Sequence, residues 1–169
     1  MSDILIIGGG VIGLLTAREL AASGAQVTLV EMGGTGRQAS WAGGGILSPL
    51  YPWRYPGSVT ALVRWSQRVY PELCTELFEQ TGIDPEYNRS GLLILDPEEH
   101  DTALDWAQAE QTMLDVIARE DIKIKEPGLE IPGTNALWFP EVGQIRNPRL
   151  TKALRIAIDT RIDIREHEE

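Results

Sequence analysis

Three glycines and one acid are spaced for dinucleotide chemistry. Gly8, Gly10 and Gly13 form a Gly-x-Gly-x-x-Gly run, and Glu31 closes the apolar stretch that follows. The first glycine lets the chain turn tightly, and the second leaves no Cβ between a pyrophosphate and the backbone amides of Val11 and Ile12. The third lets a helix pack closely on a sheet. Glu31 stands where an acid accepts hydrogen bonds from a ribose hydroxyl. These residues need a βαβ unit to position them, and the flanking pattern predicts one. Asp3 to Ile7 is a short apolar run. A helix follows from Val11 to Ser23, with Leu14, Leu15, Ala17, Ala21 and Ala22 as its small and apolar surface and Gly24 to end it. Val27, Leu29 and Val30 then belong to a buried parallel strand. Strand, Gly-rich turn, helix, second strand and terminal acid in this order point to a dinucleotide site, not to a merely structural turn.

A second segment, Met32 to Pro49, holds six glycines together with Trp41, Ile46 and Leu47. It is too glycine-rich for a helix and too irregular for a linker. Glycine permits close backbone approach and positive φ, so the segment is expected to wrap something flat and polar. Arg37 is the obvious phosphate partner. Ser40 either caps a short helix or donates to a phosphate oxygen. An ordinary solvent loop with Arg37 as a surface charge is the other reading of the same residues.

The fingerprint with Glu31, followed by Gly-Arg-Gln-Ala-Ser-Trp-Ala-Gly-Gly-Gly-Ile-Leu-Ser-Pro, resembles the glycine oxidase branch of the D-amino-acid oxidase family. These are FAD-dependent oxidoreductases, and the glycine oxidases serve thiamine biosynthesis. The resemblance implies a cofactor-binding set of Gly8, Gly10, Val11, Ile12, Gly13, Glu31, Arg37, Ser40, Gly44, Gly45 and Ile46. Within it the fingerprint glycines hold the FAD pyrophosphate, Glu31 holds the ribose, and Gly45 and Ile46 lie closest to the flavin ring. An NAD-dependent dehydrogenase shares the fingerprint but has no counterpart of the second glycine-rich segment. The resemblance runs the whole length of this sequence, yet covers only the N-terminal half of the family's pattern.

Composition narrows the class. The sequence has 169 residues, enough for one ordinary domain, with 43% hydrophobic and 24% charged residues, as in soluble globular proteins. A formal charge of −10 argues against nucleic acid or an anionic membrane as partner. It does not exclude an anionic cofactor on a helix N-terminus. One cysteine, Cys74, excludes an intrachain disulfide and suits a reducing compartment. The Met-Ser-Asp start shows no signal-peptide pattern, and no apolar run reaches the length of a membrane span, so a cytoplasmic location is expected. Two histidines and one cysteine make no credible metal site.

Further along, Tyr51 to Pro56 is a rigid aromatic loop that either packs or walls an active site, with packing favoured. Helical spacing runs from Ser58 to Thr81, where Pro71 should kink the helix or start a second one. Cys74 falls on its apolar side and should be inert. Gly91 to Leu95 is a strand. Asp96 as N-cap, Pro97 and Glu99 then form a capping box for a helix to about Arg119, with His100 exposed at its start. Lys123 to Gly133, with Pro127 and Pro132, should be a loop and Ala136 to Phe139 a strand. Asn147 as N-cap and Pro148 open a helix through Ile158, before a last strand from Ile162 to Arg165.

The expected fold is α/β: a Rossmann-like parallel FAD-binding sheet with helices, plus part of an inserted α+β substrate domain. The expected segments are 1–87 and 141–169 for the FAD domain and 88–140 for the insertion. By the resemblance, the activity is oxidation of glycine, a small D-amino acid or a secondary amine, with dioxygen as acceptor and hydrogen peroxide released. No catalytic residue is assigned, because the family's carboxylate-binding arginine and tyrosine have no counterpart here. The chain alone is expected to bind FAD weakly and to be inactive. A flavin-dependent D-amino-acid or sarcosine dehydrogenase and a non-catalytic nucleotide-binding module are the alternatives, and homo-oligomerisation stays open.

Overall fold

The computed structural model describes residues 2–95, 98–129 and 135–168. Its first half contains β1 (Ile4–Ile7), α1 (Val11–Ala22), β2 (Val27–Glu31), α2 (Ala39–Ala42), a 3-10 turn (Pro52–Arg54) and α3 (Gly57–Thr81). There follow β3 (Leu92–Leu95), α4 (His100–Ala109), β4 (Asp115–Ala118), α5 (Arg119–Lys125), β5 (Asn135–Phe139), α6 (Asn147–Ile158) and β6 (Asp163–Glu166). The chain divides into two units. One comprises Met1–Gly45, Tyr70–Tyr87 and Ile145–Glu169, the other Ile46–Val69 and Asn88–Gln144. Residues 46–69 and 141–144, expected with the cofactor domain, thus group in one unit with residues 88–140, expected as an insertion.

The first unit is built on a parallel sheet in the order β1-β2-β6. Ile4 pairs with Val27 through Ile7 with Val30, and Thr28 pairs with Asp163 through Glu31 with Glu166. The N-cap of α1 is Gly10, whose extended backbone (φ −73°, ψ 178°) carries no side-chain cap. It closes as expected at Gly24, where the N–H groups of Gly24 and Ala25 return to the carbonyls of Ala21 and Leu20, the double bond pattern of a left-handed helix end. α1 and α6 pack against each other. Leu14, Leu29, Leu150 and Leu154 are fully buried, each contributing about 2 kcal/mol by removal from water. Among the described residues β1 pairs on one edge only, and Leu5 and Ile7 are exposed on it.

Asn147 is the first residue of α6 and not its cap, a place taken by Arg146. The Asn147 side chain lies instead against Gly43 and Gly45. β6 begins one residue later than expected, at Asp163. α3 is a single helix with Pro71 inside it, so no second helix starts there. Cys74 is buried, and burial, with a smaller contribution from Asp84, pushes its thiol up to about 11. At pH 8 its thiolate is scarce compared with a free cysteine near 8.5. The thiol should react with a disulfide reagent at least ~100-fold more slowly in the native chain than in denaturant, which a colorimetric thiol assay checks.

The second unit carries an antiparallel sheet in the order β3-β5-β4. Leu92 pairs with Phe139 and Asp115 with Trp138. Its core joins Ile94, Leu137, Phe139 and Val142 to Ala103 of α4. Trp53 stacks on Phe139 at 6.4 Å and Trp106 meets the same ring edge-on at 6.3 Å, so the aromatic loop is packing material.

Here the expected long helix fails. α4 ends at Ala109, and β4 and α5 occupy the stretch toward Arg119 and the start of the expected loop. Gln111 takes a left-handed φ of 50°, and the N–H groups of Gln111 and Thr112 close back on Gln108 and Ala107. That closure stops the helix, and the β-branched pair Val116 and Ile117 then joins β5. Asp96, Pro97, Pro132 and Gly133 lie outside the described residues. Glu99 is the N-cap residue of α4 and not its third residue, and its Oε2 accepts from Trp53 Nε1 at 2.5 Å and Arg54 Nε at 2.7 Å. These bonds, Arg54 first, hold its carboxyl below the usual range. His100 is half-buried, with Nε2 buried and without a partner among the described residues. No helix among the described residues is long and apolar enough to cross a membrane.

Candidate functional site

The fingerprint converges at the first turn of α1. Gly8 sits at φ 103° and donates its N–H to Val30 O at 2.8 Å, turning the chain out of β1 toward the helix. A Cβ on Gly13 would lie 2.0 Å from Gly8 O, so the helix rests against the end of β1 with no room for a side chain. Gly10 is different: a Cβ there would meet only Ser40 Oγ, at 3.1 Å. The space beside the turn is therefore closed only by one small rotatable group. The N–H groups of Ile12 and Gly13 belong to the first turn, where an α-helix supplies no acceptor. Together with the positive end of the helix dipole they favour an anion.

Glu31, 8% exposed, ends β2 beside this turn. Its Oε2 accepts the Gly9 N–H at 2.6 Å and its Oε1 the Gly33 N–H at 2.9 Å. One carboxylate thus ties the first glycine turn to the second, and each oxygen keeps a further lone pair for a hydroxyl donor. Gly36 N–H donates to Gly9 O at 2.8 Å and reinforces the tie.

Ser40 lies in α2 and neither caps that helix nor stands free. Its Oγ accepts the Val11 N–H at 2.9 Å, supplying from a distant loop the cap that Gly10 lacks. At Gly45, φ is 73° and a Cβ would come within 2.0 Å of Ile145 O. Its carbonyl accepts the Ile145 N–H at 2.9 Å, which pins the loop to the segment entering α6. Gly44 is exposed with open space around it.

The structure brings together Gly8, Gly10, Val11, Gly13, Glu31 and Ser40. Arg37 is exposed and lines a groove with residues of α6. Ile12 is 76% exposed. Ile46 opens the second unit, where it bridges to Gln144. Sequence reasoning missed Gly9 and Gly33 as partners of Glu31. It also missed Glu166, whose carboxylate accepts the Thr35 N–H at 2.7 Å and the Thr35 hydroxyl. Those bonds hold the Glu166 carboxyl below the usual range, the hydroxyl being the larger cause.

A model of the FAD dependent oxidoreductase family matches residues 3–169. The chain belongs to this family. It is 47% identical over 166 residues to a glycine oxidase of Pseudomonas aeruginosa, covering 98% of this chain and 46% of that relative. It is 45% identical over 171 residues to a glycine oxidase of Pseudomonas putida, with the same shares covered. The crystal structure of a glycine oxidase from Geobacillus kaustophilus matches 99% of this chain and 47% of its own, at a TM-score of 0.88 and 30% identity. The α/β fold with its parallel three-stranded sheet is thus that of the glycine oxidases over the part they share. The chain spans about half the length of the curated relatives it matches.

Proposed function

We propose that this chain forms the FAD cradle of an amine oxidase acting on glycine, a small D-amino acid or a secondary amine. The observation that carries the reading is the first turn of α1. The amides of Ile12 and Gly13 have no acceptor within the helix, and among the described residues a Cβ on Gly10 would meet only a serine hydroxyl. These residues fit a pyrophosphate. The fingerprint from Gly8 to Gly13 would face it with backbone amides, and Ser40, which accepts from Val11, keeps its own hydrogen to donate to a phosphate oxygen. Glu31 would accept from the ribose while holding both glycine turns. Arg37 would add charge for the phosphates, and Gly44, Gly45 and Ile46 would border the flavin, by likeness to the family. Bound FAD would supply the redox chemistry, the two-electron oxidation of the amine with dioxygen as acceptor. The protein's share is orientation and electrostatics, and no protein base is assigned. In this reading the second unit is part of the substrate domain, and a reducing, cytoplasmic setting suits the single buried thiol.

With half of its relatives' length, the chain should bind FAD weakly, with a dissociation constant above about 1 μM, and should not turn over amines. Titrating FAD into the purified chain and following the flavin absorption band checks this. Absence of any spectral change at near-millimolar FAD would overturn the cradle. Tight stoichiometric flavin with glycine-dependent peroxide would overturn the view that the rest of the family's pattern is needed. Peroxide formation by a protein that contains this chain within a relative's full length would separate oxidase from dehydrogenase.

A further inference from the structure

The fingerprint pattern leaves the residue between Gly8 and Gly10 open, and here it is another glycine, Gly9. It is buried and held on its N–H, its carbonyl and its Cα. Glu31 Oε2 accepts the N–H at 2.6 Å. The carbonyl accepts the Gly36 N–H at 2.8 Å. A Cβ on Gly9 would lie 2.9 Å from the Thr35 methyl, so Thr35 stands where a side chain would be. The last two contacts come from neighbours in the chain, Thr35 and Gly36. Gly36 takes a left-handed φ of 69° against Thr151. Thr35 gives both its N–H, at 2.7 Å, and its hydroxyl to Oε1 of Glu166.

The sheet places Glu166 for this. It ends β6 beside Glu31 of β2, its partner in the parallel register. Two carboxylates side by side repel each other, so a pair at this place needs donors. Glu31 takes the N–H groups of Gly9 and Gly33, and Glu166 takes the donors of Thr35. The segment from Gly33 to Gly36 is thereby strung between the ends of two strands. Balancing Arg155 would be another task for Glu166. Arg155 attracts this carboxylate less than the Thr35 bonds do, and it bonds to Asp159 at 2.5 Å. We propose that Glu166 is a positioning residue for the cofactor: acting through Thr35, it fixes Gly9 and with it the turn that presents the α1 amides. The consequence for FAD rests on the cradle reading, whereas the hold on Gly9 does not.

Amide hydrogen exchange of the FAD-free chain, followed by NMR, reads the hold on the turn. A flavin titration of the same variants reads its consequence. Losing bonds to a charged acceptor in Glu166→Ala should open the segment about tenfold more often. The Gly36 amide should then exchange about tenfold faster, and so should that of Gly9, which is bonded to Glu31 and not to Glu166. FAD affinity should fall by a similar factor. Glu166→Gln keeps an acceptor oxygen and should lose about fivefold, and it carries the measurement should Glu166→Ala fail to fold. Thr35→Val removes the hydroxyl, and adding it to Glu166→Ala should cost nothing more, because the two residues act as one link. Ile158→Val, at a fully buried site of α6, is the control: it should lower the urea midpoint and leave FAD affinity unchanged. Unchanged Gly9 exchange or unchanged FAD affinity in a folded Glu166 variant overturns the proposal. Additive losses in the double variant overturn the route through Thr35, and an equal loss of FAD in Ile158→Val would show general destabilisation instead. Absence of FAD uptake by the wild-type chain would overturn the cradle reading and the cofactor role of Glu166 with it, while the exchange rates would still decide its hold on Gly9.

Discussion

Gly13→Ala should lower the melting temperature by roughly 4–8 °C and remove measurable FAD uptake. The added methyl would stand 2.0 Å from Gly8 O, far inside the approach that real Cβ atoms make, and the obstacle is backbone, not the tip of a flexible side chain. Gly8 cannot swing aside freely, because its N–H is held by Val30 O and its φ of 103° belongs to the turn out of β1. The helix must therefore move off the strand. Alanine gains up to about 1 kcal/mol over glycine in helix propensity, but overpacking typically costs about 1–3 kcal/mol and more against rigid backbone. The clash wins by about 2 kcal/mol, which at about 2–4 °C per kcal/mol for a chain of this size gives the shift stated. Gly10→Ala is the contrast. Its Cβ would meet only Ser40 Oγ at 3.1 Å, so stability should stay near wild type while FAD binding weakens. Thermal melts and flavin titrations of the two variants separate packing from cofactor approach, and a wild-type melting temperature for Gly13→Ala would refute the packing argument.

The difference between these glycines marks how far the sequence could be read. The βαβ unit was legible because its physics is local: an apolar strand, a turn that only glycine allows, a helix with a small apolar face and a left-handed end at Gly24. The helix expected through Arg119 shows the opposite. Leu104, Ala107, Met113 and Ile117 keep helical spacing, and the residue that ends α4 by turning left-handed is Gln111, not a glycine or asparagine. The pairing of Val116 and Ile117 with β5 bridges a stretch of chain that spacing cannot see. Side-chain partners were hidden for the same reason. Glu99 looked like half of a capping box, but Trp53 and Arg54 claim it from 46 and 45 residues away. Ser40 was recognised as a capping or phosphate-directed hydroxyl, yet the helix that it caps starts 29 residues earlier. In the candidate site, residue types were legible from chemistry, and their mutual bonds only from the fold.

Glu31→Gln should destabilise the chain by roughly 2–4 kcal/mol even with no cofactor present. The carboxylate is buried and accepts two backbone N–H groups, one on each oxygen. A glutamine keeps the shape but offers one acceptor and one amino group. One of the Gly9 and Gly33 amides would then face a donor, and the other would lose the strength of a charged acceptor, since hydrogen bonds to charged groups contribute about 1.5–3 kcal/mol against about 1 for neutral ones. Glu31→Asp keeps the charge but is one methylene shorter, so it should hold one turn and release the other, with a smaller loss. A urea titration reads the effect as a lower midpoint at unchanged slope. This measurement divides two roles that ribose binding alone would merge. If Glu31 serves only the ribose, Glu31→Gln will leave the midpoint untouched without FAD and affect only the flavin titration. If the carboxylate is the clamp that the geometry shows, both readouts fall together, and loss of FAD follows from the two glycine turns coming apart as well as from a missing hydroxyl contact.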